Sequence, residues 1–164
     1  MGRVALARVD ARLIHGQVMV TLVKSVGANA IFVADNQAAH DDFTKNILIS
    51  AGSKGGQKTR VLKEDGAVRY WNDRQYDDYN VLLLTKNIKV IHDIITSGVP
   101  VDDLNVGGAP QQPGKTGIIK EVFITKEELD LLNDLSENYG VNVFFQATPA
   151  STKVSLKEAN KMFK

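Results

Sequence analysis

The chain has no cysteine, which excludes disulfides, thiolate metal sites and a cysteine nucleophile at the outset. It also lacks a dominant charge: 20 Lys and Arg stand against 19 Asp and Glu, a formal net charge of +1. So even a balance creates no global field to attract nucleic acid or an anionic membrane, and any basic function must be local. Long hydrophobic runs are missing too. The opening MGRVALARVDARLIHG holds no unbroken apolar stretch of the signal-peptide kind, and no segment approaches the ~18 consecutive apolar residues of a membrane span. These absences lead us to expect a cytoplasmic chain without direct membrane insertion. No repeat, low-complexity tract or linker divides the sequence, and no His/Asp/Glu set has metal-ligand spacing. Its 164 residues suit one domain with a substantial core, spanning 1–164.

What is present alternates short apolar runs with longer amphipathic ones. VALARV (4–9), AIFVA (30–34), TRVL (59–62), VLLLT (81–85), LNV (104–106), EVFIT (121–125) and VNVFFQ (141–146) read as strands, several of them apolar on both faces. Between them the spacing predicts helices over about 16–26, 38–51, 65–73, 88–97, 126–139 and 155–163. Two open with a capping-box pattern, Thr125 with Glu128 and Ser155 with Glu158. Gly98 before Pro100, and Gly140, read as stop signals. Such alternation argues for an α/β fold: an open, mostly parallel sheet with helices on both faces. Ligands of such sheets bind at the carboxyl ends of the strands, where strand order reverses.

At the end of the first strand stands RVDARLIHGQV, residues 8–18, with Arg8, Asp10, Arg12 and His15 in eight positions. Each has a task if the loop handles phosphate. A neutral imidazole is a good nucleophile near pH 7, since the free side chain titrates at ~6.5. Arginines Arg8 and Arg12 can hold a phosphoryl group bidentately and offset charge developing in transfer. The free N–H groups of Gly16, Gln17 and Val18 at a helix start add donors. Asp10, unfavourable beside phosphate as a bare anion, makes sense as the group that orients an arginine or sets the tautomer of His15. A solvated loop with surface ion pairs is the competing reading of the same residues.

RVDARLIHGQV closely resembles the active-site segment of the IIB components of the mannose/fructose/sorbose family of the bacterial phosphoenolpyruvate-dependent sugar phosphotransferase system. GVPVDDLNVGG (98–108), VLLLTKN (81–87) and FFQATPA (144–150) resemble further family segments in the same order. The resemblance implies a seven-stranded, mostly parallel sheet of order 3-2-1-4-5-6-7, with His15 in the crevice where that order reverses. It also implies a phosphocarrier enzyme without a metal or cofactor. The residue matching His15 would accept a phosphoryl group at Nδ1 from a IIA partner. It would pass the group to a hexose or hexosamine held by the membrane components IIC and IID, beside which the chain would lie peripherally. A homodimer is left open. GANAI (27–31) is similar to hexosamine-type members, although sugar contacts belong to the membrane partners.

Other residues are weaker candidates. Asp35, after the second strand, is expected either to support the active-site loop or to cap a turn. Lys86, after the fourth strand, could approach the phosphate. Asn105, Gly107 and Gly108 match the family's NVGG segment, and the glycines are expected to form a tight turn with positive φ. Lys115 and Thr116 lie in a Gly/Pro-rich loop, 107–117, that departs from the family pattern at Ala109. His40 and His92 read as surface residues, and Tyr70 and Trp71 as helix packing. Two other functions compete with the phosphocarrier: a general acid–base enzyme using His15 and Asp10, and a non-catalytic module that binds a phosphorylated ligand through Arg8 and Arg12.

Overall fold

The computed structural model describes residues 1–163, with the side chains of Gln17 and Val18 outside the described set. The first strand, β1 (Arg3–Asp10), is buried from Leu6 onward and leads into α1 (Gly16–Val26). There follow β2 (Ala30–Ala34), α2 (Asn36–His40), α3 (Asp42–Ser53), β3 (Lys58–Leu62), α4 (Glu64–Arg74) and β4 (Asn80–Thr85). Then come α5 (Ile88–Thr96), β5 (Asp103–Gly108), β6 (Thr116–Ile119), β7 (Val122–Ile124) and α6 (Lys126–Tyr139). The chain continues through β8 (Asn142–Phe145), β9 (Val154–Ser155) and α7 (Leu156–Lys161). No helix among the described residues is long and apolar enough to cross a membrane.

Seven strands form one sheet of order β3-β2-β4-β1-β5-β8-β9. All neighbours are parallel except β9, which runs antiparallel to β8. Helices cover both faces. Met19, Leu22 and Val23 of α1 and Leu48 of α3 pack with Leu6, Ile31, Val33, Leu82 and Leu84 on one face. Ile88, Ile91 and Ile94 of α5, Leu129 and Leu132 of α6 and Trp71 of α4 pack with Ala7, Val9, Phe32, Leu83 and Val106 on the other. The expected open, mostly parallel α/β sheet is therefore found.

Its order differs from the implied 3-2-1-4-5-6-7 at two places. First, β4 lies between β2 and β1, so β1 is flanked by β4 and β5. A strand that ends in a buried Arg8 and Asp10 needs a neighbour without side chains at that level, and Gly107 and Gly108 of β5 meet this need. Second, the EVFIT segment, expected as the sixth strand, forms β7 of a separate antiparallel pair with β6. That pair is tied to the end of β5 through Ala109, whose N–H donates to Glu121 O at 2.9 Å.

Helix boundaries carry local signals. The helix expected over 38–51 is two helices, because Asp41 adopts an extended conformation and its carboxylate caps the second one through Phe43 N. Both capping boxes form as read, and Gly140 ends α6 at φ 67. The connection from β1 runs to α1 on one face, while those from β4 and β5 lead to α5 and α6 on the other. The carboxyl end of β1 is thus where neighbouring connections part, leaving a crevice.

Candidate functional site

Asp10 ends β1, and the next five residues form a tight loop that carries His15. Arg12 N donates to Asp10 Oδ1 at 3.0 Å, and Leu13 N to Asp10 O at 2.9 Å, so the carboxylate folds its own loop. Leu13 takes a left-handed conformation at φ 57. Its side chain and that of Ile14 are buried in the core beneath α1, which pins the loop and leaves Arg12 and His15 at the surface. His15 is the N-cap residue of α1 but makes no side-chain cap there. Its ring turns instead to Asp10, with Nε2 3.0 Å from Oδ2.

Asp10 is the hub. Its side chain is fully buried, that of His15 is 21% exposed and that of Arg12 54%. Oδ1 accepts from Arg12 Nε at 3.1 Å, while Oδ2 accepts from Arg12 Nη2 at 3.2 Å and Arg8 Nη2 at 3.0 Å. Burial alone would raise the Asp10 carboxyl. The bonds from the Arg12 side chain, the Arg12 N–H and His15, with the charge of Arg8, outweigh it and hold the carboxyl at about 2. Asp10 is therefore an anion that can only accept, so His15 Nε2 is the donor in this contact, and in the neutral ring the lone pair then falls on Nδ1.

Arg8 occupies a place that strand periodicity alone does not reveal. It is fully buried. Nη1 donates to Asn105 Oδ1 at 2.5 Å and to the Gln146 carbonyl at 3.4 Å, and Nη2 to the Ala147 carbonyl at 2.9 Å as well as to Asp10. Its burial pulls the guanidinium pKa down, against the opposing pull of Asp10. The expected grip of Arg8 on a phosphoryl group does not fit this geometry, because the guanidinium is fully buried and its four Nη bonds go to groups inside the protein. Gly107 and Gly108 are likewise not a positive-φ turn. They lie in β5, where a Cβ at 107 would overlap the Arg8 guanidinium and one at 108 would come within 2.6 Å of Asp10 Oδ1. Asn105, 1% exposed, bonds Arg8 through Oδ1 and the Gln146 carbonyl through Nδ2, at 2.9 Å.

The carbonyls of Gln146 and Ala147 are site groups that residue chemistry could not single out. The only sequence signal for them was their place in FFQATPA. The remaining candidates divide. Asp35 caps α2, accepting from Ala38 N at 2.9 Å, and Lys86 is turned toward it, with Nζ 3.9 Å from Asp35 Oδ2 and 3.4 Å from Gln37 Oε1. Lys115 lies 3.8 Å from Glu128 Oε1. Gly16 is exposed at the start of α1 with φ 51. The expectation for the Gln17 side chain falls outside the described residues. His92 pairs with Asp134 at 2.7 Å between α5 and α6, and Tyr70 and Trp71 both pack on Tyr76. Among the described residues no three or more His, Asp or Glu side chains gather to hold a metal ion.

Beside the loop runs a cleft of about 260 Å³, lined by Asp10, Ala11, Arg12, Gly108, Pro110 and Glu121. A second cleft of about 230 Å³ adjoins it at Ala11, Ala109 and Pro110 and reaches Lys86 and Lys115. A surface histidine held by a buried carboxylate beside an exposed arginine, at the crevice of an open α/β sheet, marks a protein that handles phosphoryl groups where a partner can reach them. Comparison with known proteins narrows this class. A family model described as the sorbose subfamily IIB component of the PTS system matches residues 4–164. The chain is 34% identical over 164 residues to the N-acetylgalactosamine-specific phosphotransferase enzyme IIB component 2 of Escherichia coli (strain K12), covering 95% of this chain and 98% of the relative. It is 31% identical over 134 residues to the sorbose-specific EIIB component of Lacticaseibacillus casei, covering 82% and 81%. Among solved structures it is similar to manxB from Thermoanaerobacter tengcongensis, with a TM-score of 0.92, 34% identity and coverage of 99% and 98%. The IIBSor domain of the sorbose permease from Klebsiella pneumoniae follows at a TM-score of 0.88, 28% identity and coverage of 97% of each chain. The chain belongs to the sorbose subfamily of phosphotransferase-system IIB components. It is a phosphocarrier enzyme that takes a phosphoryl group from a IIA component through a histidine and passes it on during sugar uptake.

Proposed function

We propose that His15 is the phosphoacceptor and that Nδ1 is the receiving atom. The observation that carries this reading is the 3.0 Å contact between His15 Nε2 and the ionised Asp10, which leaves Nδ1 as the free nucleophile. The Nδ1 lone pair attacks the phosphorus of the donor's phosphohistidine. The donor N–P bond breaks and its electron pair returns to the donor ring. In the second transfer a sugar hydroxyl oxygen attacks, the His15 N–P bond breaks with its electron pair returning to Nδ1, and the hydroxyl proton passes to solvent.

Phosphoryl transfer of this kind passes through a loose transition state and asks mainly for positioning and charge. Arg12, exposed and three residues from His15, is the arginine placed to bind the phosphoryl oxygens, aided by the helix start at the exposed Gly16. Arg8 acts from behind Asp10. A IIA component is the donor, and IIC and IID present the acceptor, a hexose or hexosamine. The relatives named for N-acetylgalactosamine and for sorbose fit that range.

The burial of Arg8 speaks against a ligand-binding module built on both arginines. The test uses phosphoenolpyruvate, the general phosphotransferase proteins and a IIA component. The wild type should gain acid-labile phosphate that His15→Ala does not. A wild type left unlabelled by a competent IIA would count against the reading.

A further inference from the structure

Two arginines share one carboxylate here, and their surroundings differ completely. Arg8 is fully buried and makes four hydrogen bonds, to Asp10 Oδ2, Asn105 Oδ1 and the carbonyls of Gln146 and Ala147. Gly107 leaves it just enough room. Arg12 holds the same carboxylate through Nε and Nη2 at 3.1 and 3.2 Å, but its side chain is 54% exposed. In this arrangement the arginine best placed for an incoming phosphoryl group is already engaged with Asp10.

We propose that Arg12 exchanges the Asp10 carboxylate for the phosphoryl group when His15 is phosphorylated, and that Arg8 is the positioning residue that makes the exchange feasible. The inference rests on His15 being the phosphoacceptor. A buried carboxylate stripped of its only counter-ion is strongly disfavoured, so with Arg12 alone Asp10 would retain the arginine. With Arg8 in place, Asp10 keeps one guanidinium, the His15 Nε2–H and the Arg12 backbone N–H after the Arg12 side chain leaves. The clamp on Arg8 comes from β5 and the segment after β8, so two distant parts of the chain set the readiness of the loop. Arg8 is fixed and Arg12 mobile, and the exchange makes and breaks only hydrogen bonds.

The test follows the arginine Nε signals by ¹⁵N NMR while a IIA component and phosphoenolpyruvate phosphorylate the wild-type protein. Phosphorylation should shift the Arg12 signal and leave that of Arg8 nearly in place. A His15 that becomes phosphorylated while Arg12 stays unmoved overturns the exchange but not the phosphoacceptor; a His15 that is never phosphorylated removes the reading beneath both. A second arm compares Arg12→Ala in the wild type and in Arg8→Lys, with folding checked by the amide spectrum. The transfer-rate loss from Arg12→Ala should be smaller in the Arg8→Lys background by ~10-fold, the scale of coupling between neighbours. Equal losses in the two backgrounds mean that Arg8 does not act through Arg12. The wild-type spectrum decides the exchange whether or not Arg8→Lys folds.

Discussion

Gly107 lies directly beneath Arg8, so close that a Cβ on residue 107 would overlap the guanidinium. Glycine is required there for space: residue 107 lies in β5, where the pairing with β1 skips it, and its backbone is not left-handed. The absent side chain lets a full-length arginine lie flat in the core and reach Asp10 from below.

Gly107→Ala should therefore displace Arg8 and cost about 1–3 kcal/mol, as overpacking of a dense interior does. Urea unfolding measures the loss. Phosphate uptake by His15 should slow in the same variant, because Asp10 loses its fixed partner. A variant with unchanged stability and rate would refute the close packing.

Replacing Arg12 should have the opposite profile. Its guanidinium is half exposed, and the buried Asp10 keeps Arg8 when it is gone, so Arg12→Ala should cost only about 1 kcal/mol of stability. The rate of phosphoryl uptake should fall roughly 10²-fold, the scale of losing one donor to transition-state charge. Single-turnover labelling beside thermal unfolding separates the two effects.

Asp10 makes the protein sensitive to acid. Its folded-state carboxyl lies at about 2, below the ordinary 3.8, so the stability it contributes is present above ~3.8 and lost as pH falls toward 2. At neutral pH that contribution is of order 2 kcal/mol. Between pH 5 and 2 the unfolding free energy of the wild type should fall more steeply than that of Asp10→Asn, as followed by circular dichroism.

The ring of His15 should carry its proton on Nε2 when neutral, since an ionised Asp10 can only accept. Nitrogen NMR of the imidazole reads the tautomer directly. Finding the proton on Nδ1 would make Nε2 the nucleophile and reverse the proposed geometry.

Much of this molecule was legible in local sequence. Strands with apolar residues on both faces, the Thr125–Glu128 and Ser155–Glu158 boxes and the Gly140 stop all formed as read, because each depends on neighbours a few residues away. The apolar spacing of Phe43, Ile47 and Leu48 marks α3 alone and carries no sign of the break from α2 at Asp41. The EVFIT segment shows a related limit: its strand character was plain, but its membership of the small β6–β7 pair was not.

The sequence by itself determined that His15, Asp10 and the two arginines meet where β1 hands over to α1, because all four lie within eight residues. Only the tertiary structure decided which arginine faces water. That choice depends on β5 and β8 lying on one side of β1, where Gly107 makes room and Asn105 and two carbonyls accept from Arg8. Strand order is set by packing volume and by charge compensation among segments about 100 residues apart. Residue spacing along one strand cannot encode it.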